Sequence, residues 1–372
     1  MHLGFGARHQ ISNLYAGLPR WLRRGIRGYR SQVARELHLP IIEGAKRVLP
    51  EYVRCSCGHH DTAQLRSLGL SGRRIVFVYD PLKGPAGAVD LRIFQSAKRV
   101  ASAFPDCEVL TCAKQSRRLL EFRDGILILG KRCHLSKRLQ SGLATRGNLL
   151  IADLVDEPHD FRNEAGLRGY ICASFTEFMS LQSHIKIDQE CALVPHAPND
   201  AFLTSLENLY WTRFAVGYYG ASLNGLFVTE LSQRGLLEVS GKKMTQSDES
   251  LSPDWVSDAS SVPVQYIARP SARTADGRFK PFNKGFQSAQ LGQLVIGGRF
   301  DVENRYWLGD EYPFYVEEET IDAAAAAIRN CQRAWEDGEV DAATTVMLRL
   351  RQVSCPVQNA LDYRDALILM SR

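Results

Sequence analysis

From residue 71 the chain alternates short apolar runs with longer stretches of mixed polarity, which is the pattern of an α/β domain built on a parallel sheet. Arg74-Ile-Val-Phe-Val-Tyr79 is a β-branched and aromatic run that ends in the turn-forming segment Asp80–Gly87, and residues 90–103 then read as a helix. Further strands are expected at Glu108–Thr111, Gly125–Leu129, Leu149–Leu154, Tyr170–Ala173 and Cys191–Val194, at the spacing of βα units. The pattern restarts near Phe214. Phe214-Ala-Val-Gly-Tyr-Tyr-Gly220 reads as a strand entering a turn, followed by helix from Leu223 to Arg234 and a polar loop or excursion over 241–261. A strand at Val262–Ala268, a polar loop to Lys280, a helix at 282–291 and a strand at Gln293–Gly297 come next. A mainly helical tail begins at Glu319, and its alanine run 323–327 reflects helix propensity rather than function.

Two successive strand–helix modules joined near 203–213 predict two Rossmann-like domains, 71–205 and 206–330, preceded by a helical extension over 1–70 and followed by C-terminal helices over 331–372. Open parallel sheets take ligands beyond the C-terminal ends of their strands, so a facing pair would share one cleft with room for two substrates.

The extension differs from the rest in charge. The whole chain carries 46 Lys+Arg against 41 Asp+Glu, a net of only +5, yet residues 1–50 hold nine Lys/Arg against Glu36 and Glu43, which leaves about −2 for everything after. So balanced a body excludes a surface built throughout to coat nucleic acid. Leu18, Leu22, Ile26 and Val33 recur at roughly helical spacing between the arginines, beside Trp21 and Tyr29, although Gly25 and Gly28 weaken that helix. It either lies on an anionic membrane face or packs on the body. No RNA-module signature or stacking array of aromatics accompanies the arginines, so nucleic acid is not the expected partner. Cys55-Ser-Cys57-Gly-His59-His60 offers four metal ligands in six residues, but structural zinc sites usually draw on a second, separated pair and none is evident; a polar turn is the expected reading. Nine scattered cysteines, an odd number, read as reduced thiols. With no run of eighteen apolar residues and no uninterrupted secretory h-region, the expected location is cytoplasmic, peripheral to the inner membrane face if the basic segment docks there.

The segment with most chemistry in it is Arg269–Gly285, where five positive charges (Arg269, Arg273, Arg278, Lys280, Lys284) fall within sixteen residues between a strand and a helix. Pro281 suits the first turn of that helix and Gly292 its end, so backbone N–H groups and cations would converge on one helix N-terminus and favour phosphate. Arginine forks and lysine ammonium groups together can neutralise a diphosphate without a metal.

Phe279-Lys-Pro-Phe-Asn-Lys284, then Gly292-Gln-Leu-Val-Ile296 and Asp301-Val-Glu-Asn-Arg-Tyr306, resemble the C-terminal domain of GT-B glycosyltransferases. Val216-Gly-Tyr-Tyr-Gly-Ala221 resembles the strand and glycine turn that open that donor domain, and Leu193-Val-Pro-His-Ala197 the last strand of the acceptor domain. Leu149–Asp156 and Tyr170–Ser174 fit intervening strands, and the resemblance spans about 74–330. It implies a nucleotide-sugar donor, with Arg269, Arg273, Lys280, Asn283, Lys284 and Gly220 as donor or phosphate-binding residues. No cofactor or metal is implied, since no Asp-x-Asp pair occurs in a suitable loop. Fixed cations would stabilise the charge that develops on the departing diphosphate. One departure stands out: residues 281–292 contain no acid, whereas many retaining members carry Glu-x7-Glu at this helix, so the stereochemical outcome stays open. Asp301 and Glu303 read as a solvated turn or as donor contacts. For the general base the candidates are Asp156, in the run Asp156-Glu-Pro-His159-Asp160, and His196; a capping or interdomain hydrogen-bond role is the alternative for each. Lys83, Gly84 and Gly87 form a possible acceptor or donor loop. The implied activity is transfer of a sugar to a glycan or lipid-linked acceptor, the alternative being a nucleotide-binding or regulatory module without turnover.

Overall fold

The computed structural model describes residues 70, 72–83, 89–131, 133–156, 166–186, 188–203, 211–220, 224–240, 255–271 and 279–371. The basic extension, the Cys-Ser-Cys-Gly-His-His segment, Gly84, Gly87, His159, Asp160 and Arg273 lie outside the described residues.

Eleven strands in the described residues form two sheets. The first contains β1 (Arg74–Tyr79), β2 (Glu108–Ala113), β3 (Ile126–Leu129), β4 (Leu149–Leu154), β5 (Leu167–Cys172) and β6 (Glu190–Leu193), in the spatial order β2-β1-β3-β4-β5-β6. The second contains β7 (Val216–Tyr219), β8 (Glu238–Ser240), β9 (Val264–Tyr266), β10 (Leu294–Gly298) and β11 (Tyr315–Val316), in the order β11-β10-β9-β7-β8. Every pairing is parallel. Counted from the start of each sheet, both follow the order 2-1-3-4-5, with a sixth strand added to the first. Each therefore has a topological switch point between its first and third strands, where connections leave in opposite directions and open a crevice. The α/β class and the paired Rossmann-like layout are those the apolar pattern predicts.

The helices are α1 (Ser96–Ala103, preceded by a π-turn at Asp90–Gln95), α2 (Lys137–Ala144), α3 (Phe175–Gln182), α4 (Asp200–Leu203), α5 (Val228–Gln233), α6 (Trp255–Ser260), α7 (Asn283–Leu291), α8 (Val302–Leu308), α9 (Ile321–Asp337), α10 (Asp341–Val353) and α11 (Pro356–Met370). Side-chain oxygens fix several starts: Ser136, Ser174, Asp301 and Thr320 each accept a bond from a first-turn N–H. Trp255–Ser260 is a short helix within the loop or excursion expected over 241–261. α7 starts at Asn283, two residues after Pro281, because Phe282 has a non-helical ψ of 32° and the Pro281 carbonyl is held by Arg269 Nη2 at 3.1 Å.

Alternation along the strands divides the first domain's core into two layers. Ile75, Phe77, Ile126, Ile128, Ile151 and Ile171 share one face with Val100 of α1. Val76, Val78, Leu127, Leu129, Leu150 and Ala152 line the other with Leu143 of α2. Each fully buried aliphatic side chain contributes about 1.5–3 kcal/mol relative to exposure. The second sheet packs Val264, Tyr266, Val295 and Ile296 against Phe286 of α7, Ala324 and Ile328 of α9, and Met347 and Leu350 of α10.

The last helix crosses back. Ala360, Tyr363, Leu367 and Met370 of α11 join the first domain's core, and Asn359 Nδ2 donates to the Pro195 carbonyl at 2.8 Å.

Candidate functional site

The C-terminal ends of the two sheets meet. Asp156 lies two residues beyond β4, in a left-handed turn (φ 57°) that aspartate tolerates better than most residues, and is only 7% exposed. Its Oδ1 accepts from Lys131 Nζ, two residues beyond β3, and its Oδ2 accepts from Lys280 Nζ of the second domain. One carboxylate thus joins two lysines across the cleft.

On the second domain the cations gather at the switch point between β7 and β9. Arg269, three residues past β9, donates to the Lys280 carbonyl at 3.3 Å and to that of Pro281, which fixes the loop before α7. Lys284, in the first turn of α7, places Nζ 3.7 Å from the centroid of the Tyr218 ring on β7. Gly220 follows that strand with φ 133°, and a Cβ there would lie 3.3 Å from Lys284 Nζ, so glycine both permits the turn and leaves the ammonium its space. Burial first, and then the neighbouring Arg269 charge, pulls the Lys284 ammonium well below the usual lysine range. Asn283 Oδ1 is buried and has no hydrogen-bond partner. No acidic residue occupies the first turn of α7. The structure therefore brings together Gly220, Arg269, Lys280, Asn283 and Lys284, and sets Asp156 opposite them.

His196 follows β6 and is buried, with neither ring nitrogen hydrogen-bonded. Burial chiefly, with the positive charges of Arg92, Lys131 and Arg99, holds its imidazole well below the usual histidine range, which keeps it neutral. Its segment is anchored on both sides: Arg92 Nη1 donates to Val194 O at 2.7 Å, and Arg99 Nη2 to Pro198 O at 2.7 Å. Asp80, directly after β1, accepts from Lys114 Nζ at 2.7 Å and from Leu82 N at 3.1 Å. Burial pushes its carboxyl upward, but these bonds, with Gln115, prevail and hold it below the usual aspartate range. Lys83 closes a 3-10 turn (Pro81–Lys83) beside it.

Sequence reasoning missed two residues here, Lys131 and Glu177. Lys131 shares with Asp156 the position two residues past a largely buried strand, and that repeated offset was the available signal. Glu177, buried in the first turn of α3, has its carboxyl pushed well above the usual range by burial, then by the charges of Asp156 and Asp153. Glu303 corrects the expectation of a solvated turn or donor contact. It is buried on α8, and its carboxylate accepts from Phe175 N (3.1 Å), Thr176 N (3.2 Å), Thr176 Oγ1 (3.0 Å) and Trp307 Nε1 (2.8 Å). The second domain so caps the N-terminus of α3 in the first, while Tyr306 stacks on Phe175 at 3.7 Å. Asp301 caps α8 by accepting from Glu303 N.

Among the described residues no group of three or more His, Cys, Asp or Glu is placed to hold a metal ion, and no helix is long and apolar enough to cross a membrane.

No family model and no curated protein matches the sequence. Solved structures do match by shape. A glycosyltransferase from Rickettsia africae superposes with a TM-score of 0.51 at 12% identity, over 80% of this chain and 97% of that one. The E. coli trehalose-6-phosphate protein bound with UDP-2-fluoro glucose gives 0.51 at 9% identity, over 80% and 98%. Against the pneumococcal O-GlcNAc transferase GtfA, in complex with UDP and GlcNAc, this chain covers 59% of that protein's length and 68% of its own, at 8% identity and a TM-score of 0.48. The fold of this chain is GT-B.

Proposed function

We propose that the protein is a glycosyltransferase that moves a sugar from a nucleotide-sugar donor to a glycan or lipid-linked acceptor. The observation that carries this reading is Lys284, an ammonium lodged between Tyr218, Gly220 and Arg269 at the start of a helix that has no acid of its own. A lysine so desolvated gains most from an anion, and N–H groups at the start of α7 point the same way. The GT-B fold, and UDP-2-fluoro glucose bound to the E. coli neighbour, support a nucleoside diphosphate as that anion.

In this reading Arg269, Lys280 and Lys284, with Arg273 from the same loop, neutralise the charge that builds on the leaving diphosphate, which removes the need for a divalent metal. Asn283 orients a phosphate oxygen through its Nδ2 amide, Gly220 admits the ligand next to backbone, and Lys83, Gly84 and Gly87 are proposed as an acceptor or donor loop. Asp156 and His196 are the two base candidates of this reading: both oxygens of Asp156 are ion-paired, and His196 is buried with its imidazole held well below the usual histidine range by burial first. The reading extends to a cytoplasmic protein whose residues 1–50 rest on an anionic membrane face. Liposome partitioning of the chain with and without those residues tests that part.

The doubly paired Asp156 also favours a second reading, a nucleotide-binding or regulatory module without turnover. A panel of nucleotide sugars separates the two: a transferase shows slow donor hydrolysis, whereas a binding module shows a thermal shift with nucleoside diphosphates and no product.

A further inference from the structure

We infer that Asp156 and the phosphates of a bound nucleotide compete for the Lys280 ammonium, so that Asp156 is an exchangeable counter-ion that positions Lys280 and Lys131 is the residue that lets it let go. This rests on the reading of the α7 cleft as a nucleotide site.

The argument begins with how Lys280 is held. Its backbone belongs to the second domain, where Arg269 grips the carbonyls of Lys280 and Pro281. Its tip belongs to the first, on Asp156 Oδ2. Between root and tip is a flexible four-carbon stem with 39% of the side chain exposed, so the ammonium can change partners without moving the main chain. The alternative partner is near, because Asn283 and Lys284 begin α7 only three residues further on.

Asp156 could not release a lone partner cheaply. At 7% exposure, a carboxylate stripped of its cation would carry the cost of a buried, unpaired charge. Lys131 removes that obstacle by holding Oδ1 from within the same domain, so Asp156 remains paired after Lys280 leaves. Lys131 and Asp156 together form a resting site on the first domain for a cation that the second domain uses. The swap also breaks one of the ties between the domains, which links anion binding to the freedom of the cleft.

The test is titration calorimetry of the full chain with UDP and, separately, with inorganic pyrophosphate. Asp156→Asn keeps the shape and tolerates the left-handed turn while removing the competing charge. It should tighten UDP by about three- to tenfold, the scale of one half-buried ion pair. Lys131→Ala should weaken UDP by about two- to fivefold, because Asp156 then keeps Lys280. Lys280→Ala should weaken it about tenfold, and adding Asp156→Asn to Lys280→Ala should bring no gain. The inference is overturned if Asp156→Asn, melting normally, leaves UDP affinity unchanged or weaker, or if its gain persists without Lys280, which would make it a general charge effect. A wild-type protein that binds neither probe would bring down the nucleotide reading itself, an outcome distinct from either of those.

Discussion

The two domains share a strand order but spend their charges differently at the strand ends. In the first, three acids at or near the C-terminal ends of strands each have a cation of the same domain: Asp80 has Lys114, Asp153 has Arg92, and Asp156 has Lys131. In the second, Arg269, Lys280 and Lys284 crowd the switch point and the only carboxylate among their described contacts is borrowed from across the cleft. A self-neutralised edge suits an uncharged guest, and an edge with surplus cations suits an anion. The asymmetry is the one the proposed function needs, with a diphosphate at the cationic edge of the second domain and the acceptor at the edge of the first.

The comparison is broken most forcefully at the buried pair of the first domain. Arg92 Nη2 lies 2.6 Å from Asp153 Oδ1, Tyr363 donates to Oδ2 at 2.8 Å, and neither charged side chain reaches water. Arg92→Leu should therefore destabilise the protein by about 3–5 kcal/mol, since it strands Asp153, as read by chemical denaturation. Nucleotide binding by whatever remains folded should change little. The reverse pattern is expected of Lys284→Ala, which should weaken UDP binding tenfold or more in calorimetry and leave the melting temperature nearly unchanged or higher, because it removes a desolvated charge. Unaltered affinity would end the assignment of that lysine.

A pH series sharpens the comparison at the seam. Burial, aided by Asp301, raises the Glu303 carboxyl to about 7 against an ordinary 4.5, despite the opposing bonds from Trp307, Thr176 and Phe175. The folded form thus holds this proton more tightly than the unfolded chain does. Its stabilising contribution is complete below about pH 4.5 and fades as pH rises to about 7, with a slope of at most about 1.4 kcal/mol per pH unit. Denaturation of the wild type and Glu303→Gln at pH 5 and pH 7.5 should show the difference between them shrinking at the higher pH; a constant difference would mean the carboxyl does not titrate there. The smallest effect belongs to Asn283→Ala, expected to weaken UDP about two- to fivefold, the low end of what one hydrogen bond contributes net. No change would remove Asn283 from the phosphate site.

The central strands of the first sheet were legible because they are buried on both faces, so Arg74–Tyr79 and Leu149–Leu154 read as mainly apolar runs, broken in the second only by Asp153. The edges were not. β8 has three residues and β11 two, too few for a period to show, and α8 at seven residues hides its helical character. The cationic loop before α7 was visible as composition, and Gly220 and Lys284 as a motif. What composition could not hold was the partner of each: Glu303 reads as a surface acid until α3, some 120 residues earlier, is folded against it, and Asp156 reads as a free base until two lysines from different domains arrive.

The chain passes between its lobes twice, once through the segment around Pro195 and again where α10 gives way to α11, and the Asn359 amide staples the two passages together. A body strung on a single tether can swing in any direction. Two tethers fastened at one point restrict how one lobe can shift against the other, and the Glu303 cap on α3 with the Tyr306–Phe175 stack adds a third hold away from that point.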